Sequence, residues 1–334
     1  MNWVFVGVGA IACQYLVGAV CAQQENDVRR MVSGPADRAA AFAGTHRTPL
    51  FGTDLAEALA DPALGAVCIS PADEKHHGPA MAALAAGKPV LCELPLATAA
   101  GNAQDMVRAA EKAGVLPATG NHLHSAGSLR AIRDAIPAEK VTKSPSQGLF
   151  HAVALPVHLR GGRLDNPAAG GGVSAGLTGH NSGTVRFLPG EDPVPAVVHV
   201  DVTGMGRGLE DSAMPVRAMP RRATGFSHES FIHPFAASGP EAPGTQGSIP
   251  ARAVLPQDPG EQIDLITAPG RARAGSDRCA IDQGVVREFC AAVKGRQRPA
   301  APGRDGVKSP PFAAALCDAA RTGRHQAANS GETA

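Results

Sequence analysis

The chain has 334 residues, with 31 Lys and Arg against 30 Asp and Glu, a formal net charge of +1 and only 4% aromatic residues. Such a length exceeds what one hydrophobic core usually organises and points to two domains with ample buried interior. The balanced charge gives no electrostatic footprint for nucleic acid or an anionic membrane, and the scarcity of aromatics argues against a base-stacking or carbohydrate platform.

Asn2-Trp3-Val4-Phe5-Val6 is an apolar run that breaks into Gly7-Val8-Gly9 and resumes as apolar residues at helical spacing from about Ile11 to Ala22. This predicts strand, tight turn and helix. Gly7 permits the turn, Gly9 lets a backbone approach a pyrophosphate, and small Ala12 lets helix and strand pack while the helix N-terminus faces phosphates. The run from Trp3 to Val20 lacks a basic start and is interrupted by the glycine turn, so it reads as folded structure rather than an export signal. With seven cysteines, no C-x-x-C pair and an odd count, neither a disulfide framework nor a zinc site is expected, and the expected location is cytoplasmic. No metal is expected in the site.

A second strand over Val28–Ser33 ends at Ser33-Gly34, with Arg38 just beyond. A carboxylate at this point would hold the ribose 2′-hydroxyl of NAD, whereas Ser33 and Arg38 suit the 2′-phosphate of NADP, although Asp37 lies beside the arginine. Thr53 is a candidate helix cap. Ala66–Ser70 is a strand, Lys75–Ala86 a helix stopped by Gly87, Pro89–Cys92 a strand, Ala100–Ala113 a helix stopped by Gly114, and Val115–Thr119 a further strand. This alternation predicts a doubly wound parallel sheet with Ser33, Ser70, Glu93 and Asn121 lining one crevice at the carboxyl ends of its strands.

The second half changes texture. Strand-like runs at Gly148–Ala154, Ala196–Thr203, Ser212–Phe226 and Gln262–Thr267 lack regular helices between them, which predicts an α+β domain after a boundary near Ser144-Pro145-Ser146-Gln147. Gly284–Val293 and Phe312–Ala320 read as late helices. Pro215 and Pro220 interrupt a strand pattern, and Pro310-Pro311 a terminal helix pattern.

Three stretches together resemble the glucose-fructose oxidoreductase and inositol dehydrogenase family: the glycine turn, Gly87-Lys88-Pro89-Val90-Leu91-Cys92-Glu93-Leu94-Pro95-Leu96-Ala97, and Gly170-Gly171-Gly172 running to His180. Within that family the run Phe150-His151-Ala152-Val153-Ala154-Leu155-Pro156-Val157-His158-Leu159, with Gly244–Ser248 and Asp305–Val307, is similar to the branch that reduces 1,5-anhydro-D-fructose. The resemblance implies an α/β chain: a Rossmann domain over residues 1–121, then an α+β domain with an open antiparallel sheet over 122–334. It implies NADPH-dependent reduction of the ketone of 1,5-anhydro-D-fructose to 1,5-anhydro-D-mannitol, by a monomer or homo-oligomer whose partner is a small sugar ketone or polyol.

Carried onto this sequence, the resemblance assigns proton donation to His180. It assigns cofactor contacts to Gly7, Gly9, Ala10, Ile11, Ser33, Gly34, Arg38, Ser70, Pro71, His76, Glu93, Leu94, Asn121, Gly162 and Arg163. The departures are specific. The family's Glu-Lys-Pro is Glu93-Leu94-Pro95, its aspartate four residues before the histidine is Gly176, and a pocket tryptophan is Gly162. Leu94 has neither charge nor proton, so the expected reductase is an impaired one. The alternatives are an inactive dinucleotide- or sugar-binding member and a dehydrogenase of another cyclic polyol.

Overall fold

A computed structural model describes residues 1–9, 11–136, 148–151, 172–173, 178–192, 196–201, 210–219, 224–233, 239–255, 262–275, 280–299 and 301–322. The chain divides into two units, Met1–Ser125 with Asp282–Pro310, and Ala126–Ile281 with Pro311–Ala334.

The first unit holds β1 (Asn2–Val6), β2 (Asp27–Val32), β3 (Leu50–Gly52), β4 (Leu64–Ile69), β5 (Val90–Cys92) and β6 (Pro117–Thr119). All pair in parallel, in the order β3-β2-β1-β4-β5-β6. The order reverses between β1 and β4, the place where ligands bind in such sheets. Along β1, Trp3 and Phe5 point to one face and Val4 and Val6 to the other. Both faces are covered, which is why the strand reads as continuous apolar residues rather than alternating ones.

On the first face lie α1 (Val17–Cys21), α2 (Ala36–His46) and the Ile281–Val293 helix, which inserts Val285, Val286, Phe289 and Cys290. On the second lie α3 (Leu55–Leu59), α4 (His77–Ala85) and α5 (Ala100–Ala113), whose Ala58, Ala80, Ala83, Ala103 and Ala110 keep the helices close to the sheet. At the β6 edge the Thr119 N–H donates to Ala301 O at 3.0 Å, and Ala118 bridges Pro302. A side chain at Gly306 would lie 2.6 Å from Leu96 and Thr119, so that glycine is what lets the returning chain cover the edge.

Several local expectations change. The first helix opens with a π-helical turn, Ala12–Leu16, before α1. The cap of α3 is Asp54, not Thr53: its carboxylate accepts from Ala56 N at 2.8 Å and Glu57 N at 3.3 Å. Instead of one helix from Lys75, a 3-10 turn at Asp73–Lys75 precedes α4.

The second unit carries β7 (Gly148–His151), β8 (Ala196–Asp201), β9 (Ser212–Ala218), β10 (Thr224–Phe226), β11 (Glu229–Ser230), β12 (Gly239–Pro243), β13 (Gly247–Arg252), β14 (Gln262–Thr267) and β15 (Gly270–Arg273). They form one nine-stranded sheet ordered β11-β9-β10-β7-β12-β13-β14-β15, with β8 on β9. Every pair is antiparallel except β10 with β7. The single run expected over Ser212–Phe226 is two strands, β9 and β10, folded back on each other with Thr224 opposite Ala218.

Pro215 does not interrupt its strand. It sits inside β9 opposite Val198, and its carbonyl, the one ladder group it retains, accepts from Ser227 N at 3.1 Å. Pro310-Pro311 likewise do not break the last helix. They occupy the first turn of Ser309–Thr322, where the missing N–H groups would have no partner in the helix. Pro220 and the Ser144–Gln147 boundary lie outside the described residues.

Candidate cofactor site

The glycine turn follows β1 at the switch point. Gly7 has φ +91°, and its N–H donates to Val32 O at 2.8 Å. A side chain there would fall 2.5 Å from Pro71 Cα and 2.7 Å from the Ser70 carbonyl carbon. The glycine is therefore imposed twice, by backbone conformation and by the close passage of Ser70-Pro71. At Gly9 the added carbon would meet Ser70 O at 3.2 Å, a tight but adjustable contact. Ile11, at the head of the helical stretch, is an exposed large apolar residue. Ala10 lies outside the described residues.

At the end of β2, half-buried Ser33 donates its N–H to Gly52 O at 3.1 Å, and Gly34 is exposed. Arg38, in the first turn of α2, is exposed and its Nη2 donates to Val8 O at 3.4 Å. The guanidinium thus reaches back over the glycine turn. Asp37 is the acidic residue of that helix turn, and it is exposed.

The ends of β4, β5 and β6 are tied together. Ser70 N donates to Val6 O at 2.8 Å, Glu93 N to Ile69 O at 2.9 Å and Gly120 N to Cys92 O at 2.7 Å. His76, 1% exposed, faces Pro95 O with Nδ1 at 2.7 Å and Pro71 O with Nε2 at 3.3 Å, so its ring braces the loops after β4 and β5. Leu94 is 9% exposed. Asn121 is 3% exposed. Its amide nitrogen meets His124 Nε2 at 3.2 Å, while its Oδ1 has no hydrogen-bond partner among the described residues.

Glu93 stands apart chemically. Its carboxyl lies over Gly120, where an added methyl carbon would be 2.7 Å from Cδ. Burial, then the nearby Asp282 carboxylate and more weakly Asp73, push it up to about 8 against the opposing bond from the Leu94 N–H. A carboxyl held in this way is largely neutral at pH 7, and so a hydrogen-bond donor. The sequence marked Glu93 only as a cofactor contact. It missed Asp73, Gly120 and Asp282 as its surroundings, because only the fold brings those positions to one strand end.

In the second unit His180 lies on the Thr178–Phe187 helix. Asn181, its neighbour, is buried and donates to Glu229 Oε1 at 3.2 Å, which also accepts from Ser227 Oγ at 2.7 Å. Gly162, Arg163 and Gly176 lie outside the described residues.

A family model described as "Oxidoreductase family, NAD-binding Rossmann fold" matches residues 1–121. A 1,5-anhydro-D-fructose reductase from Ensifer adhaerens is 37% identical over 324 residues, covering 97% of both chains. The chain belongs to the GFO/IDH/MocA family of oxidoreductases. Solved structures agree on the fold of this family member. An aldose-aldose oxidoreductase from Caulobacter crescentus complexed with glycerol has a TM-score of 0.86 at 17% identity, covering 98% of this chain and 99% of that one. An oxidoreductase from Agrobacterium radiobacter in complex with NAD+, L-tartaric acid and magnesium has a TM-score of 0.82 at 17% identity, covering 98% of each.

Proposed function

We propose that the chain is an NADPH-dependent reductase that converts the ketone of 1,5-anhydro-D-fructose to the alcohol of 1,5-anhydro-D-mannitol. The observation that carries this reading is the 37% identity to a 1,5-anhydro-D-fructose reductase across 97% of the chain, which extends through the second unit as well as the dinucleotide-binding one. NADPH over NADH is favoured by exposed Arg38, which reaches the Val8 carbonyl from beyond β2, and by Ser33 where a ribose-binding carboxylate would stand.

The residues at the first strand's end fit a dinucleotide. Gly7 and Gly9 keep the backbone bare, Ile11 offers an exposed apolar face, and Ser33 with Arg38 offers a hydroxyl and a cation. The cofactor's contribution, once bound, is hydride transfer. The protein's share is to orient the ketone and to handle the charge that grows on its oxygen. His180 is assigned to hydrogen-bond that oxygen, and it is the sequence's candidate for proton donation. Leu94 performs neither task.

The experiment is to follow reduced-nicotinamide absorbance with 1,5-anhydro-D-fructose, inositols and other cyclic ketones and polyols. NADPH-dependent reduction of the anhydro-ketone is expected at a rate about a hundred- to ten-thousand-fold below that of a lysine-bearing relative, with Leu94→Lys recovering much of the loss. NADPH binding with no ketone consumed, in the parent chain and in Leu94→Lys, would make the protein a binding member of the family.

A further inference from the structure

On the reductase reading above, we propose that Glu93 is the acid that protonates the reduced carbonyl oxygen, replacing the lysine absent at position 94, in the role that sequence reasoning assigns to His180.

Glu93 is the first residue beyond β5, at the carboxyl end of a central parallel strand, and its carboxyl leans over Gly120 at the end of β6. Ligands of doubly wound sheets bind at those strand ends. Leu94 shows almost no surface, so the side chain that succeeds the family lysine is folded away. Glu93 is half-buried and keeps part of its surface.

Among the described residues, the ionisable groups acting on Glu93 are Asp73 from the turn after β4, Asp282 from the first turn of the Ile281–Val293 helix, and the thiols of Cys68 on β4 and Cys92 on β5. Both thiols are pushed well up by burial and are neutral at ordinary pH. The two aspartates act in the same direction, favouring the protonated form of Glu93. A lysine ammonium at position 94 would oppose them and favour the carboxylate. Replacing that lysine with Leu94 thus removes one proton donor while keeping a proton on the adjoining residue.

The step balances. Hydride from the reduced nicotinamide forms the new C–H bond, the C=O π pair moves to oxygen as an alkoxide, and the dihydronicotinamide is oxidised while the ketone is reduced. The Glu93 O–H bond then breaks, its electron pair stays on the carboxylate, and its proton completes the alcohol. Water returns a proton to Glu93 before the next turnover.

The test uses the full chain and has two readouts. The first is infrared titration of protonated carboxyl groups in the protein without cofactor. A carboxyl band titrating near pH 8 is expected in the parent, lost in Glu93→Gln and moved to lower pH in Leu94→Lys. The second is kcat against pH with NADPH and 1,5-anhydro-D-fructose. The parent should lose activity as pH rises through about 8. Glu93→Gln should fall by about a hundred-fold or more and lose that alkaline limb. In Leu94→Lys the lysine regains the donor role, so adding Glu93→Gln should cost far less than it does in the parent. Full turnover and an unchanged alkaline limb in Glu93→Gln would overturn the assignment while leaving the reductase reading intact. A band absent from the parent would overturn it as well. Absence of turnover in both the parent and Leu94→Lys would remove the reductase reading and the assignment together.

Discussion

Gly7 and Gly9 are two residues apart and answer to different demands. Gly7→Ala would place a methyl against Pro71 in a backbone region that L residues avoid, so it should destabilise the first unit by at least about 2 kcal/mol in urea unfolding. Gly9→Ala meets only Ser70 O at 3.2 Å and should leave the unfolding midpoint nearly unchanged while weakening NADPH binding, a contrast that calorimetry and denaturation resolve together. Arg38→Ala should cost NADPH about ten- to a hundred-fold in affinity and NADH little, as expected for loss of a charge-assisted contact to a 2′-phosphate. Glu93 adds a pH dependence to stability. Its folded value is near 8 against an ordinary 4.5, so between those values the folded protein retains a proton that the unfolded chain releases. Stability from this group is complete below about pH 4.5 and is lost as pH rises through about 8, so the melting temperature of Glu93→Gln should decline less over that window than the parent's. The turn-forming role of Gly7 was legible because only a glycine tolerates that turn. The setting of Glu93 was not, because it depends on residues 73, 120 and 282 meeting in space.

Among the elements, the parallel strands were the most legible. β1, β4 and β5 are buried on both faces, and continuous apolar runs such as Val67-Cys68-Ile69 announce themselves without regard to register. β3 gave no such signal, being three residues long at the sheet edge with Phe51 exposed. β12 and β13 were hidden because Pro240, Pro243 and Pro250 argue against strand, yet both pair in the sheet. In the second unit the Thr178–Phe187 helix is anchored through Asn181 to Glu229 on β11, which Ser227 also bonds. Glu229→Ala would leave a buried amide and a buried hydroxyl each short of an acceptor, at about 1 to 3 kcal/mol apiece. Because Asn181 follows His180 directly, the same variant should lower kcat more than it lowers NADPH affinity. Glu229→Gln, which keeps an acceptor oxygen, should recover part of the stability.

At the scale of the whole chain, the first unit is closed by a segment more than 150 residues away in sequence, residues 282–310. Val285, Val286, Phe289 and Cys290 join the cluster built on Trp3, Phe5, Ala66, Cys68 and Leu91, and the Phe289 ring lies 5.1 Å from that of Trp3. Asn26 Oδ1 accepts from Trp3 Nε1 at 3.0 Å and from Cys290 Sγ at 3.3 Å, and Ser125 Oγ donates to Glu288 Oε2 at 3.2 Å. Burying Val285, Val286 and Phe289 contributes about 1.5 to 3 kcal/mol each. Their sum approaches the net stability of a whole domain, about 5 to 15 kcal/mol. A chain ending at residue 280 should therefore fail to form the first unit even though every strand of the parallel sheet is present. Trp3 is the single tryptophan and is fully buried, so its emission reports this unit directly. The shortened chain should show emission at the wavelength of the urea-unfolded protein and bind no NADPH. Phe289→Ala in the full chain should keep the blue-shifted emission but lose about 3 to 5 kcal/mol of stability. Blue-shifted emission with a cooperative transition in the shortened chain would mean that residues 1–125 fold without the returning helix.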